Sequence, residues 1–231
     1  MRDKLTTLRW FDILVVTIIL FTDGIINSTK QYLALLNQTS NLTDNLTFSS
    51  GQNYQAFILQ SLLLLMAAAY LYFRRFDFSV LTTKINVKPI VILQAILIFI
   101  VASFLMDLSY LISYQLENAI RPSLYHMFSN LDFSLVLYSF LNGFYEEIFF
   151  LGICLSVKPD YIKWAFLYSL LIRTSFHTYQ GLTAAFSIGL ILGTLFYVLY
   201  RKLKPENLLP FFLAHAIADM IGLSVIFYFW Q

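Results

Sequence analysis

The chain has 231 residues and a net charge of +2; 59% of its residues are hydrophobic, 18% aromatic and only 12% charged, about half the roughly 25% charged content of soluble domains. This composition excludes a soluble globular domain, and the absence of a Lys/Arg stripe interleaved with aromatics excludes nucleic acid as a partner. The single cysteine, Cys154, forms no internal disulfide and, inside an apolar run, reads as a small core residue.

Apolar stretches near the roughly 20 residues needed to cross a bilayer as helix recur along the whole chain. In order they cover about 10–28, 54–73, 89–112, 132–156, 164–179, 182–200 and 206–230. The first follows Arg2, Lys4 and Arg9 in the manner of a signal peptide, but no small-residue cleavage site comes after it, so it reads as a retained helix. Segment 117–131, with Pro122 and His126, is a candidate interfacial or re-entrant helix. The fold expected is an all-α, polytopic integral membrane bundle of about seven transmembrane helices, eight with that segment. No polar stretch is long enough to fold separately. We therefore expect one integrated membrane domain, with residues 1–131 as scaffold helices and a polar outer loop, and 132–231 as the membrane-embedded core.

Lys and Arg set the expected topology, because cytoplasmic loops retain them. With the N-terminus inside, the inner segments hold Arg2, Lys4, Arg9, Arg74, Arg75, Lys84, Lys88, Lys158, Lys163, Arg201, Lys202 and Lys204, twelve of the fifteen. The outer segments hold Lys30 and Arg121, and Arg173 lies within a span. Asn27, Asn37, Asn41 and Asn45 each begin an N-x-S/T sequon. In a prokaryotic cell membrane, the setting we favour, these are polar loop residues.

The N-terminal half has few ionisable groups at membrane depth, since Asp12, Asp23 and Asp107 fall near span ends. The C-terminal half differs. Its apolar spans contain Glu146, Glu147, Arg173, His177, His215 and Asp219, although an ionised group in such surroundings costs several kcal/mol unless it is compensated. Counting about 1.5 Å per residue from Lys158, Lys163 and Lys204, the glutamates lie about 16 to 18 Å deep, Arg173 and His177 about 15 and 21 Å, and His215 and Asp219 about 16 and 22 Å. Three spans thus bring polar groups to one level. His177 lies one turn from Arg173 and Asp219 one turn from His215, whereas Glu146 and Glu147 point about 100° apart, so one faces a cavity and the other supports it.

A buried glutamate near a histidine is what water activation requires: a carboxylate to take the proton and an imidazole to share it. A second histidine with a polar neighbour could hold the developing oxyanion. Two histidines and a glutamate, here Glu146, His177 and His215, could also form a three-ligand zinc site with water in the fourth position. No His-Glu-x-x-His is present, however, and no cofactor is expected.

At these residues the sequence resembles the CAAX prenyl protease and bacteriocin-processing family, also called the Abi family of intramembrane proteases. Its pattern is Glu-Glu-x-x-x-Arg, then Phe-x-x-x-His, then His-x-x-x-Asn or Asp. Glu146-Glu147 match the first motif, His177 the second, and His215 with Asp219 the third, over about residues 132–225. Two positions depart from it: Leu151 stands at the motif's arginine and Arg173 at its phenylalanine. The resemblance implies peptide-bond hydrolysis of a peptide or membrane-protein substrate within the lipid bilayer. Glu146 would be the general base, His177 its partner, and His215 and Asp219 the stabilisers of the tetrahedral intermediate. An ionised Asp219 cannot donate to an oxyanion, so it is either protonated or orients His215. With Leu151 unable to pair, Glu147 is expected to take Arg173 from the neighbouring helix as its partner. The alternative within the family is a membrane protein conferring self-immunity to a bacteriocin. A proton-coupled transporter would instead show two related halves with broken helices, and no such symmetry is present.

Overall fold

The computed structural model describes residues 4–46, 48–114 and 131–226. Among these, everything beyond turns and connections is helical, save one isolated bridge between Leu5 and Phe76. Helix α1 (Trp10–Leu36) leads through the short α2 (Leu42–Leu46) to α3 (Ser50–Phe73), and α4 (Ser79–Thr82) precedes α5 (Ile90–Tyr114). Helix α6 (Phe133–Glu147) runs on into a π-helical stretch, Ile148–Ile153, and α7 (Ile162–Phe176) follows. Then α8 (Leu182–Phe186), a second π-helical stretch (Ser187–Leu192) and α9 (Gly193–Lys202) form one continuous run, and α10 (Leu209–Ile221) comes last.

Four of these are individually long and apolar enough to cross a bilayer: α1, α3, α5 and the run Leu182–Lys202. The other three expected spans are shorter helices, of 15 residues in α6 before its π-helical continuation, 15 in α7 and 13 in α10. They carry the polar cluster. The long helices supply the apolar exterior, as α3 shows with its exposed Ile58, Leu62, Leu65 and Met66.

The loops sort into two ends. At one end, Leu5 pairs with the chain at Arg75 and Asp77, Leu8 N–H donates to Ser156 O, and Leu208 N–H donates to Lys84 O. Here too Arg74 pairs with the fully buried Asp12 at 2.6 Å, and Glu206 receives Lys84, Arg201 and Lys204. At the other end Ser50 donates to Asp132, Asn53 to Ser134 and Asn45 to Tyr179 O. The segments assigned from Lys and Arg to one side of the membrane thus meet at one end of the molecule. Local capping fixes where helices start there: Ser49 and Gln52 cap α3 reciprocally, and Asp132 accepts from Leu135 N–H at the start of α6.

Several boundaries differ from the hydropathy reading. Helix α1 continues to Leu36 rather than ending near residue 28; Asn27, Ser28 and Gln31, which lower the local hydropathy, line a cavity. Sequon residue Asn27 is therefore helical, and Asn45 is buried with its amide on Tyr179. The last expected span breaks at Gly222, whose φ of 82° suits glycine. Beyond it Asp107 of α5, fully buried, accepts from Ser224 Oγ and from the amides of Val225 and Ile226. The candidate helix at 117–131 lies, but for Leu131, outside the described residues.

Two glycines set the spacing of the core helices. A Cβ on Gly143 of α6 would lie 3.0 Å from Ala216 N and 3.3 Å from His215 Cβ of α10. A Cβ on Gly189 would lie 2.8 Å from Thr174 Cα of α7. The Phe212 carbonyl oxygen would lie closer still to the Gly143 Cβ, and it and Thr174 Cα come nearer than packing allows, so only glycine lets these backbones touch. The first contact lies one turn from Glu146 and Glu147, the second beside Arg173.

Candidate active site

Helix α6 presents Asn142, Glu146 and Glu147, α7 presents Arg173 with His177 as its C-cap, and α10 presents His215 and Asp219. Within each helix the pairs Asn142/Glu146, Arg173/His177 and His215/Asp219 are four apart and share a face. The π-helical stretch begins directly after Glu147. Such local changes of helical pitch occur often at functional sites.

Glu147 is the more fully engaged of the two glutamates. Arg173 grips it with both ends of the guanidinium, Nη1 to Oε1 at 2.8 Å and Nη2 to Oε2 at 2.7 Å, and His215 Nδ1 lies 2.7 Å from Oε1. The residue is 0% exposed and Arg173 4%. The pairing expected for the missing arginine is therefore present, and Arg173 does not reach outward to the membrane surface. Its guanidinium also lies 4.2 Å from the centre of the Phe150 ring, which adds a cation–π contact. A planar fork on a carboxylate is among the strongest side-chain pairings, and it compensates burial that neither charge would tolerate alone.

Glu146 is held differently. Asn142 Nδ2 donates to its Oε1 at 3.2 Å, His215 Nε2 lies 3.8 Å from the same oxygen, and Arg173 Nη1 lies 3.8 Å from Oε2. Oε2 is buried and accepts no hydrogen bond. Glu146 lines the internal cavity of about 1480 Å³, and Glu147 does not. The 100° offset between neighbours on a helix has thus put one carboxylate toward the cavity and the other into the protein.

Asp219 accepts from Asn142 Nδ2 at 2.8 Å, and its Oδ1 lies 3.6 Å from His215 Nε2. His177 Nδ1 lies 2.7 Å from the carbonyl of Arg173. A carbonyl only accepts, so Nδ1 carries the hydrogen and Nε2 keeps a free lone pair. The ring is packed against Phe176, centroids 4.2 Å apart, and also lines the cavity.

Among the described residues, those with ligand atoms all within 4.8 Å of one another are Glu146, Glu147 and His215. This departs from the zinc set considered from sequence, in which His177 stood where Glu147 stands here. The reason is geometric: His177 caps its helix through the Arg173 carbonyl, outside that group.

Two residues went unnoticed in the sequence. Asn142 donates to both Glu146 and Asp219, and Gln60 of α3 donates to Asn142 Oδ1 at 2.7 Å, so the amide's two ends are fixed. Asn142 carried a readable signal, a polar residue one turn before Glu146 in an apolar span. Gln60 carried none, because nothing in a sequence brings α3 to α6.

Residues 128–221 match the family model described as type II CAAX prenyl endopeptidase Rce1-like, and all six ionisable residues of the cluster fall inside the match. Neither a curated protein nor a solved structure gives a significant match to the chain.

Proposed function

We propose that this chain, whose residues 128–221 belong to the Rce1-like family of type II CAAX prenyl endopeptidases, hydrolyses a peptide bond within the membrane using water activated by Glu146 and His177. The observation that carries this reading is the division between the glutamates. Glu147 has both oxygens committed to Arg173 and His215, while Glu146 lines the cavity and keeps one oxygen, Oε2, that accepts no hydrogen bond.

In this mechanism Glu146 takes a proton from water while His177 Nε2 accepts a hydrogen bond from its other O–H, and the oxygen attacks the scissile carbonyl carbon. The oxyanion that forms meets the Nε2–H of a protonated His215, an imidazolium whose Nδ1–H is given to Glu147. Glu146 then returns the proton to the amide nitrogen as the C–N bond breaks, leaving an acid and an amine. Asp219 orients His215 rather than donating to the oxyanion. Its carboxylate already accepts from Asn142 and lies 3.6 Å from the imidazole.

The donor chemistry argues against a resident metal. A cation bound by Glu146, Glu147 and His215 would have to displace the guanidinium fork from Glu147, and would sit beside the fixed positive charge of Arg173. We therefore expect purified protein to keep its activity after exhaustive chelation and to contain no stoichiometric zinc by elemental analysis. Activity lost on chelation and regained with zinc would overturn this.

The function is tested by mass spectrometry of peptide fragments from membranes expressing the wild-type chain or His177→Ala. Removing the water's imidazole partner should lower the yield of chain-dependent fragments by at least about a hundredfold, the low end of general acid–base contributions. Equal fragment sets would leave His177 only a packing role.

A further inference from the structure

Helix α3 is apolar over most of its length, and between Ala56 and Ala69 its only polar side chains are Gln60 and Ser61. Ser61 turns back on its own helix, donating to Phe57 O at 2.7 Å. Gln60 reaches across to α6 instead, where its Nε2 donates to Asn142 Oδ1 at 2.7 Å. Nearer the starts of both helices, Asn53 Nδ2 of α3 donates to Ser134 Oγ of α6 at 3.1 Å. The two helices are therefore clasped twice, seven residues apart on α3 and eight on α6, which fixes how α6 is turned against α3.

The orientation of both amides follows from what they touch. An ionised carboxylate only accepts hydrogen bonds, so Asn142, which is 7% exposed, turns its nitrogen to Glu146 and Asp219. Its Oδ1 then faces α3, and Gln60 must present Nε2 to it. One nitrogen thus takes Glu146 Oε1 at 3.2 Å and Asp219 Oδ2 at 2.8 Å. The oxygens left over are Glu146 Oε2, which accepts no hydrogen bond, and Asp219 Oδ1, which lies 3.6 Å from His215 Nε2.

We infer that Asn142 and Gln60 are positioning residues of the active site. Asn142 sorts the oxygens of the two carboxylates, so that Oε2 of Glu146 is the atom that takes the proton and Oδ1 of Asp219 is the one that faces His215. Gln60 keeps the amide from turning over and aiming Oδ1 at both carboxylates, a reversal that would leave each of them without its donor. Helix α3 thereby acts on the base through α6 without supplying a reacting group. The catalytic consequence rests on the peptidase reading of the site; the sorting of the oxygens does not.

The test compares the full wild-type chain in detergent with Asn142→Leu, Gln60→Leu and the double variant, on a fragment precursor identified by mass spectrometry. Asn142→Leu should lower kcat by about tenfold or more, within the roughly hundredfold that a small misplacement near the chemistry costs. KM should hold, because the amide serves the base and not the bound peptide. Gln60→Leu should lower kcat less. Since Gln60 acts through Asn142, it should have no further effect in the Asn142→Leu background, whereas two independent packing losses would multiply. An unchanged kcat in the folded fraction of Asn142→Leu, or losses that multiply in the double variant, would overturn the inference. A second readout needs no turnover: infrared bands of the two carboxyl groups, assigned by their loss in Glu146→Gln and Asp219→Asn. Both bands should move in Asn142→Leu and, by less, in Gln60→Leu; bands that stay in place in both variants would also overturn it. A wild-type chain that cleaves nothing refutes the peptidase reading, and the infrared bands still decide whether Asn142 holds these carboxylates.

Discussion

Glu146→Gln should reduce peptide cleavage by at least about a hundredfold, and toward about ten-thousandfold if general base catalysis contributes in full, while the protein still inserts and folds. Glutamine has the same shape and keeps an Oε1 that can accept from Asn142 Nδ2, the contact present at 3.2 Å. It cannot take a proton from water. No ion pair shorter than 3.8 Å is lost with the charge, so folded yield should change little. The contrasting variant is Glu147→Gln, which strips a bidentate partner from Arg173 and should lower folded yield together with rate. Cleavage is measured in single-turnover assays on a fragment precursor identified by mass spectrometry, with gel filtration in detergent as the control for folding. A Glu146→Gln protein cleaving within a few fold of wild type would remove Glu146 from the base role. A Glu147→Gln protein with normal yield and a pure rate defect would exchange the roles of the two residues.

How far the sequence foretells this arrangement depends on which force sets each part. An ionisable residue in an apolar span needs compensation, so the six residues of the cluster could be picked out individually, and the spacing of four placed Arg173 with His177 and His215 with Asp219. Depth counting then brought three helices to one level. Which glutamate faces the cavity was not legible, because the 100° between them is fixed but the rotation of α6 is not. That rotation is set by Gly143 meeting the backbone of Ala216 and by Tyr145 O–H donating to Leu20 O of α1. Both are long-range contacts. Hydropathy likewise failed where a helix lines a cavity: Asn27 and Gln31 looked like loop residues although they are helical. The N-terminal helices also do more than scaffold the core, since Gln60 of α3 orients Asn142 and α1 forms a cavity wall.

The largest effect on stability should come from Arg173→Met. The guanidinium is 4% exposed, makes contacts of 2.7 and 2.8 Å to Glu147, and stacks on Phe150. Methionine fills much of the same volume but leaves the Glu147 carboxylate buried with His215 alone. Removing one member of a buried ion pair costs about 3–5 kcal/mol, most of it from the charge left behind. We therefore expect a lower thermal midpoint in detergent, a reduced folded yield and no measurable cleavage. Adding Glu147→Gln removes the stranded charge, and the double variant should recover part of the midpoint and yield lost by the single one. Cleavage should not return with it, because the second change takes from His215 the carboxylate that lies 2.7 Å from its Nδ1. An Arg173→Met protein as stable as wild type would show that the pair contributes nothing to the fold. A double variant no more stable than the single one would place the loss in the packing of the arginine stem against Phe150 instead of in the uncompensated carboxylate.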